Sequence, residues 1–351
     1  MVDEITQDHQ KSEKSRLFCP LNQTSSDIFF SLVDYRNNYF TSEDPNKIIE
    51  FYNGFKNRYQ LIQWMQERPK GVANIHEVGG NKDIIVVIPT ADINGKYAKE
   101  CRNNIFKGLH IIFVESGEIP DPYFNYAHNC NIGIKKGIEY NPKWLALSND
   151  DVYKIDETET LVKQLSRLDN KNFDVIFTRD GKGKLNVNYR GELNLLGAII
   201  LPFLEHLNDR CFKKIFPVFN YNLAMLKNIN IMQKIEQKKF GEYFHMGHSL
   251  IFSIFKKNTS KYYLSEYFGI YSADFLKRRL GVLFDETFLN ANEDQYLSIV
   301  LSNDAKRTLK ISFGVGSFYG RSLGNDLNRI LRTIASDVYM NYKLSEQNNL
   351  K

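Results

Sequence analysis

The chain has 351 residues, 42% of them hydrophobic, with 25 Phe and 20 Tyr, enough to bury one large core or two ordinary ones. Its formal net charge of +5 is mildly basic. That is not the signature of a nucleic-acid binder, and it suits an anionic small ligand or an acidic membrane surface. No apolar stretch approaches the ~18 residues of a membrane span. The polar opening MVDEITQDHQKSEKS has no signal-like apolar core. The four cysteines, Cys19, Cys101, Cys130 and Cys211, lack metal or disulfide spacing and read as reduced thiols. A cytoplasmic location follows as an expectation, with peripheral contact at a membrane surface kept open.

Residues 1 to about 20 read as a disordered polar tail. A helix is expected from Pro45, with Asp44 as its N-cap. Ile48, Tyr52, Phe55, Tyr59, Ile62 and Met65 recur at helical spacing up to Pro69 and Gly71. Residues 1–80 thus form a tail and a helical extension packed on the main domain, 81–351. That domain opens at Asp83 with the apolar run Ile84 to Pro89, read as a buried parallel strand. A helix near 97–106, a strand at 109–114, a helix at 126–138 and a strand at Trp144 to Leu147 follow. This alternation predicts an α/β fold with a mostly parallel sheet and helices on both faces. Ligands on such sheets sit at the carboxyl ends of the strands. Thr90, Glu115 and Asn149-Asp150-Asp151 fall there.

Phe173 to Thr178 reads as a further strand, closing a first half at 81–180. Residues 181–260 read as a partly helical insertion beside the cleft. Within it, Arg210 to Phe240 mixes cationic and apolar residues and suits either an anionic membrane or ordinary packing, the better reading. His245 and His248 are better read as structural than as metal ligands. The last part, 261–351, carries LGVLFDETFLNANEDQYL at 280–297, a strand at Leu309 to Phe313, a Gly-rich loop and a helix near 326–342.

Three constellations carry chemistry. The carboxylates of SNDDV, at Asp150 and Asp151, end a strand and suit a hard divalent cation that neutralises a diphosphate. A turn or cap is their plain alternative. Glu293-Asp294 lies eight residues beyond Asp285-Glu286. It suits proton removal from a hydroxyl and also the acidic first turn of a helix. Gly314, Gly316 and Gly320 follow a strand, but the 31 residues after Gly320 are too few for a dinucleotide-binding unit. Ser317, Arg321 and Ser322 suit a loop closing on a diphosphate. No Walker loop, GxSxG elbow or kinase set is present.

Taken in order, these segments resemble a family 2, GT-A type glycosyltransferase of the rhamnosyltransferase-like branch. DIIVVIPTADIN is similar to the opening "VVIPTYN" turn, with Ala91-Asp92 departing from Tyr-Asn. HIIFVESG is similar to "IIVVDDGS", with Glu115 in place of an Asp. FNYAHNCNIGIKKGIEYNPKWLALSNDDV resembles the passage running from "NxG", here Asn131 and Gly133, to the DXD-like site at Asn149-Asp150-Asp151. LGVLFDETFLNANEDQYL is similar to "LGGFDERFFMYFEDVDL", with Tyr296 in place of the second Asp. The loop from Gly314 to Arg321 resembles a closing "HxGGSS" loop without its His.

The resemblance implies a GT-A fold, the nucleotide-diphospho-sugar transferase fold, and an inverting glycosyltransferase. Pro89, Thr90, Asp92, Glu115, Asn131, Asn149, Asp150 and Arg321 would hold the nucleotide sugar. Asp151 would bind Mg2+ or Mn2+. Asp294 would be the general base, with Glu293 orienting it. The partners implied are a nucleotide-diphosphate sugar and a glycan, protein or lipid-linked acceptor, with no nucleic acid. The alternatives are a non-catalytic GT-A-like module that binds glycans or a partner protein, and a sugar-nucleotide pyrophosphorylase. PTADINGKYAK lacks the Gly-rich, cationic loop that the last would need.

Overall fold

A computed structural model describes residues 39–40, 42–55, 58–117, 121, 123–179, 267–304, 307–318 and 326–349. At its centre are β1 (Asn74–Val78), β2 (Asn81–Thr90), β3 (Leu109–Glu115), β4 (Trp144–Ser148), β6 (Val175–Phe177), β7 (Phe268–Ser272) and β8 (Thr308–Lys310). They form one sheet in the order β1-β3-β2-β4-β7-β6-β8. β3, β2 and β4 run parallel, β7 opposes β4, and β6 with β8 opposes β7. β1 opposes β3. Five strands therefore share one direction, and β1 and β7 oppose them. A separate ribbon pairs β5 (Val152–Lys154) with β9 (Val315–Ser317).

β2 is exposed at Asn81 to Asp83 and buried from Ile84 to Thr90. The continuous apolar run reflects cover on both faces. One face packs Val86, Ile88, Ile111 and Trp144. Above them lie α3 (Lys96–Glu100) with its π-helical continuation Cys101–Ile105, and α5 (Thr158–Ser166). The other face packs Ile85, Val87, Ile112 and Leu145 beneath α4 (Tyr126–Ile138), α6 (Ala273–Arg278) and α7 (Glu293–Asp304). α4 is capped by the Asn125 side chain, which accepts from the His128 N–H. It lies close on the sheet because a Cβ at Gly133 would stand 2.3 Å from Val87 Cγ1, and one at Gly137 2.6 Å from Leu145 Cδ2.

A third core joins α1 (Pro45–Asn53) and α2 (Arg58–Glu67) to α8 (Asp326–Asn349). Tyr39, Phe51, Tyr52, Phe55, Trp64 and Tyr339 supply its bulk. Tyr52 Oη donates to the Leu331 carbonyl at 2.6 Å, and Arg332 Nε donates to the Tyr39 carbonyl at 2.8 Å.

Several expectations change in detail. The single helix from Pro45 to the Pro69 region is two helices, broken at Gly54, where glycine weakens the helix. Phe55 still enters the core, but Tyr59, in the first turn of the second helix, is 58% exposed. The helix expected at 97–106 turns π-helical at Cys101. The strand expected at 309–313 is shorter, at Thr308–Lys310, and Phe313 is buried outside it. The sheet extends one strand before Asp83, to β1. The residue 1–20 tail, the 181–260 insertion with His245, His248 and Arg210 to Phe240, and Gly320, Arg321 and Ser322 lie outside the described residues. Cys101 and Cys130 are buried free thiols. No helix among the described residues is long and apolar enough to cross a membrane.

Candidate active site

The connections of the sheet diverge at β2. From β2 the chain crosses one face through α3 to β3. From β3 it crosses the other face through α4 to β4, on the opposite side of β2. The carboxyl ends of β2 and β4 thus form a topological switch point, the usual place for a ligand in a doubly wound sheet. Thr90 ends β2, and Asn149-Asp150-Asp151 follows β4.

These ends are tied together. Thr90 Oγ1 donates to Asp150 Oδ2 at 2.7 Å, and Cys101 Sγ donates to the Asp150 carbonyl at 3.3 Å. Burial pushes the Asp150 carboxyl above its ordinary range, the Thr90 hydrogen bond opposes this, and the neighbouring Asp151 charge adds to the rise. Burial also pushes the Cys101 thiol far up, so it stays neutral. Asp151 is buried, and its carbonyl accepts from the Phe318 N–H at 2.9 Å, which extends the β5–β9 pairing by one step. Two adjacent carboxylates of this kind offer hard oxygen donors to a divalent cation. Two carboxylates alone do not fill the coordination shell of such a cation. Among the described residues, no group of three or more His, Cys, Asp and Glu side chains is arranged for a metal.

The second acidic pair opens α7, with Glu293 buried and Asp294 partly so. Carboxylates in a first turn complement the helix dipole. Glu293 acts electrostatically on Tyr126 and Cys130 at the start of α4. Asp294 acts on Tyr271, which burial holds in its neutral form. Tyr271 leans along β7 until its hydroxyl is 2.9 Å from where a Gly269 Cβ would stand, and Gly269 pairs with Leu147 near the end of β4. Asp294 thus faces the side of the sheet that Tyr271 and α4 occupy.

A loop braced on α4 and α8 leads into α7. Asn131, fully buried on α4, accepts from the Leu283 and Phe284 N–H groups at 2.9 and 3.1 Å. Its amide nitrogen donates to the Phe284 carbonyl and to Glu286 Oε1, both at 2.9 Å. His128 Nδ1 bonds Glu286 Oε2 at 2.8 Å. These bonds, His128 first, hold the Glu286 carboxyl below its ordinary range. Asp285 accepts from Tyr339 Oη at 2.9 Å on α8. Asn290 and Asn292 take positive φ, 54° and 66°, a conformation Asn tolerates. The pair Asp285-Glu286 thus positions the loop.

Pro89 is buried in β2, paired with Val114. Asp92 is exposed in the following turn, where its Oδ1 accepts from the Asn94 N–H at 2.8 Å. Glu115 Oε1 accepts from the Ile93 N–H at 2.8 Å, and Oε2 faces His76 Nε2 at 2.9 Å. It thereby fixes the turn after β2. The Asn149 N–H donates to the Tyr267 carbonyl at 2.9 Å, while its buried Oδ1 has no hydrogen-bond partner among the described residues. Arg321 lies outside those residues.

Asn129 was not anticipated. It is fully buried, and neither amide atom has a partner among the described residues. One turn before Gly133, it shares the face of α4 that rests on Val87 and Val114, so it lies by the ends of β2 and β3. The only sequence signal was its four-residue spacing from Gly133. A cleft of about 450 Å³ lined by Phe275, Arg278, Arg279 and Val282 lies at the opposite edge, beyond the Ser272–Trp144 pairing. Arg278 is already ion-paired with Asp174 there.

No family model matches the chain, and no curated protein matches it significantly. The observed class is an α/β protein with a large mixed sheet, compatible with a Rossmann-like doubly wound arrangement.

Proposed function

We propose that the chain is an inverting glycosyltransferase of GT-A type that moves a sugar from a nucleotide-diphosphate donor to an acceptor hydroxyl on a glycan, protein or lipid carrier. The observation that carries the reading is the 2.7 Å Thr90–Asp150 bond across the switch point, where a doubly wound sheet takes its ligand. Thr90, Asp92, Asn149 and Asp150 would line the donor. Glu115 and Asn131 would act through the turn and the loop they hold. Asp151, beside Asp150, would hold Mg2+ or Mn2+, which supplies charge to the departing diphosphate when bound.

Asp294 takes the proton of the acceptor hydroxyl as its oxygen bonds to the anomeric carbon. The bond from that carbon to the diphosphate oxygen breaks on the opposite face, and its electron pair leaves with the diphosphate. Glu293, buried at the head of α7, keeps the base in place.

One observation favours a second reading, a non-catalytic glycan-binding module. Glu115 and Asn131 commit their polar atoms to the chain's own backbone and side chains. Calorimetry with UDP, GDP and dTDP, with and without Mn2+, separates the two. The transferase reading expects one nucleotide to bind with Mn2+ and Asp151→Asn to remove the metal dependence. Absence of metal-dependent affinity for all three would leave the module.

A further inference from the structure

The ribbon of β5 and β9 carries an aromatic surface that the proposed donor chemistry does not use. Tyr153 stands opposite Gly316, and a Cβ at Gly316 would fall 2.0 Å from Tyr153 Cζ. The ring therefore lies flat over the glycine backbone. Phe318 is two residues further along the same side of the strand. Its ring centroid is 4.9 Å from that of Tyr153, and Tyr97 of α3 adds a third ring at 6.2 Å from Phe318. Buried rings need no ligand, but these are 43% (Tyr97), 41% (Tyr153) and 59% (Phe318) exposed. The opposite side of the ribbon sends Val152 and Val315 into the core, so the rings are held on a fixed base.

The backbone links this surface to the segment that follows β4. The Phe318 N–H bonds the Asp151 carbonyl, so the register sets Asp151 opposite Phe318, on the Tyr153 side of the ribbon. Exposed aromatic faces on a fixed base match one ligand chemistry well. The C–H face of a pyranose ring stacks on the rings, while the Tyr97 and Tyr153 hydroxyls offer hydrogen bonds to its hydroxyl groups. A purely apolar peptide would leave those hydroxyls unused.

Resting on the transferase reading above, we infer that Tyr97, Tyr153 and Phe318 form the acceptor shelf, and that the acceptor presents a neutral hexopyranose ring to it. The shelf fixes the class of acceptor, and Gly316 is needed because any side chain there would lift the Tyr153 ring.

The test uses the full chain with maltotriose, cellotriose and chitotriose as probes. Saturation-transfer NMR reads their binding, and calorimetry with UDP, GDP and dTDP plus Mn2+ runs in parallel. At least one trisaccharide should bind, with its strongest signals on the C–H protons of one ring face. In Tyr153→Ala/Phe318→Ala its affinity should fall about tenfold, from the loss of two aromatic contacts. Nucleotide affinity should stay unchanged, which also shows that the variant is folded. Gly316→Ala, with both rings retained, should weaken the trisaccharide too. Three results overturn the inference: no trisaccharide binding, equal binding by the variants, or loss of nucleotide affinity in its place, which would assign the rings to the base. Ring-dependent trisaccharide binding without any metal-dependent nucleotide binding would sustain the shelf and refute the transferase reading instead.

Discussion

Asn131 gives the sharpest prediction about how the site is built. In Asn131→Ala, the Leu283 and Phe284 N–H groups lose their acceptor and the Phe284 carbonyl loses its donor. Leu283 and Phe284 are 2% and 6% exposed, so bulk water does not reach these groups. Each buried polar group left unmade costs about 1–3 kcal/mol. Water entering the space left by the amide would recover part of that. The expected loss is therefore about 3–5 kcal/mol, toward the severe end for single substitutions. Urea unfolding followed by far-UV circular dichroism measures it. Because the loop feeds α7, donor turnover should fall further than nucleotide affinity. A loss under about 1 kcal/mol would mean that these hydrogen bonds do not hold the loop, and the account of how Asp294 is positioned would fail.

The other predictions concern acid stability, helix packing and the switch point. Glu286 has a depressed folded pKa, chiefly through His128. The sign follows from linkage: its stabilisation is present above the unfolded carboxylate pKa and is lost as pH falls through the lower folded value. His128→Ala should therefore flatten the acid limb of a stability–pH profile, and an unchanged limb would argue against the pairing. Gly133→Ala gains up to ~1 kcal/mol of helix propensity. It also drives a Cβ to 2.3 Å from Val87 Cγ1, and overpacking of ~1–3 kcal/mol outweighs the gain. A rise in Tm would contradict the close seating of α4. Thr90→Val removes the bond to Asp150, and hydrogen bonds to charged groups are worth about 1.5–3 kcal/mol. Tm should therefore fall by several degrees, and nucleotide-sugar affinity should drop about tenfold as Asp150 loses its fixed position. Unchanged affinity would detach Thr90 from the site.

The parts of this protein that were legible in sequence share a physical cause. The strands β2, β3 and β4 are covered on both faces, so each is a continuous apolar run. Asn125 to Ile138 carries a cap and a clear apolar stripe, and its bounds came out as expected. The antiparallel strands left weaker traces. β1 is an edge strand whose sequence NIHEV is mostly exposed, and β7 is five residues long with Gly269 inside it. The break at Gly54 was hidden because Phe55 keeps the helical spacing.

At the site, acidic pairs after apolar runs could be seen without coordinates. Their duties could not be sorted. Asp285-Glu286 and Glu293-Asp294 look alike in sequence, yet the first pair bonds Tyr339, His128 and Asn131. Asn129 and Asn131 were separable only by the face of α4 each occupies. The aromatic shelf depends on the β5–β9 register, which sequence periodicity does not encode over three-residue strands.

The most direct test compares wild type with Asp294→Asn in a turnover assay. Nucleoside diphosphate release is followed from UDP-, GDP- and dTDP-sugars with Mn2+ and a glycan acceptor mixture, beside calorimetry of donor binding. The account predicts acceptor-dependent release by the wild type, none by Asp294→Asn, and equal donor affinity in both. Equal release by the two proteins would contradict the assignment of the base and the mechanism built on it.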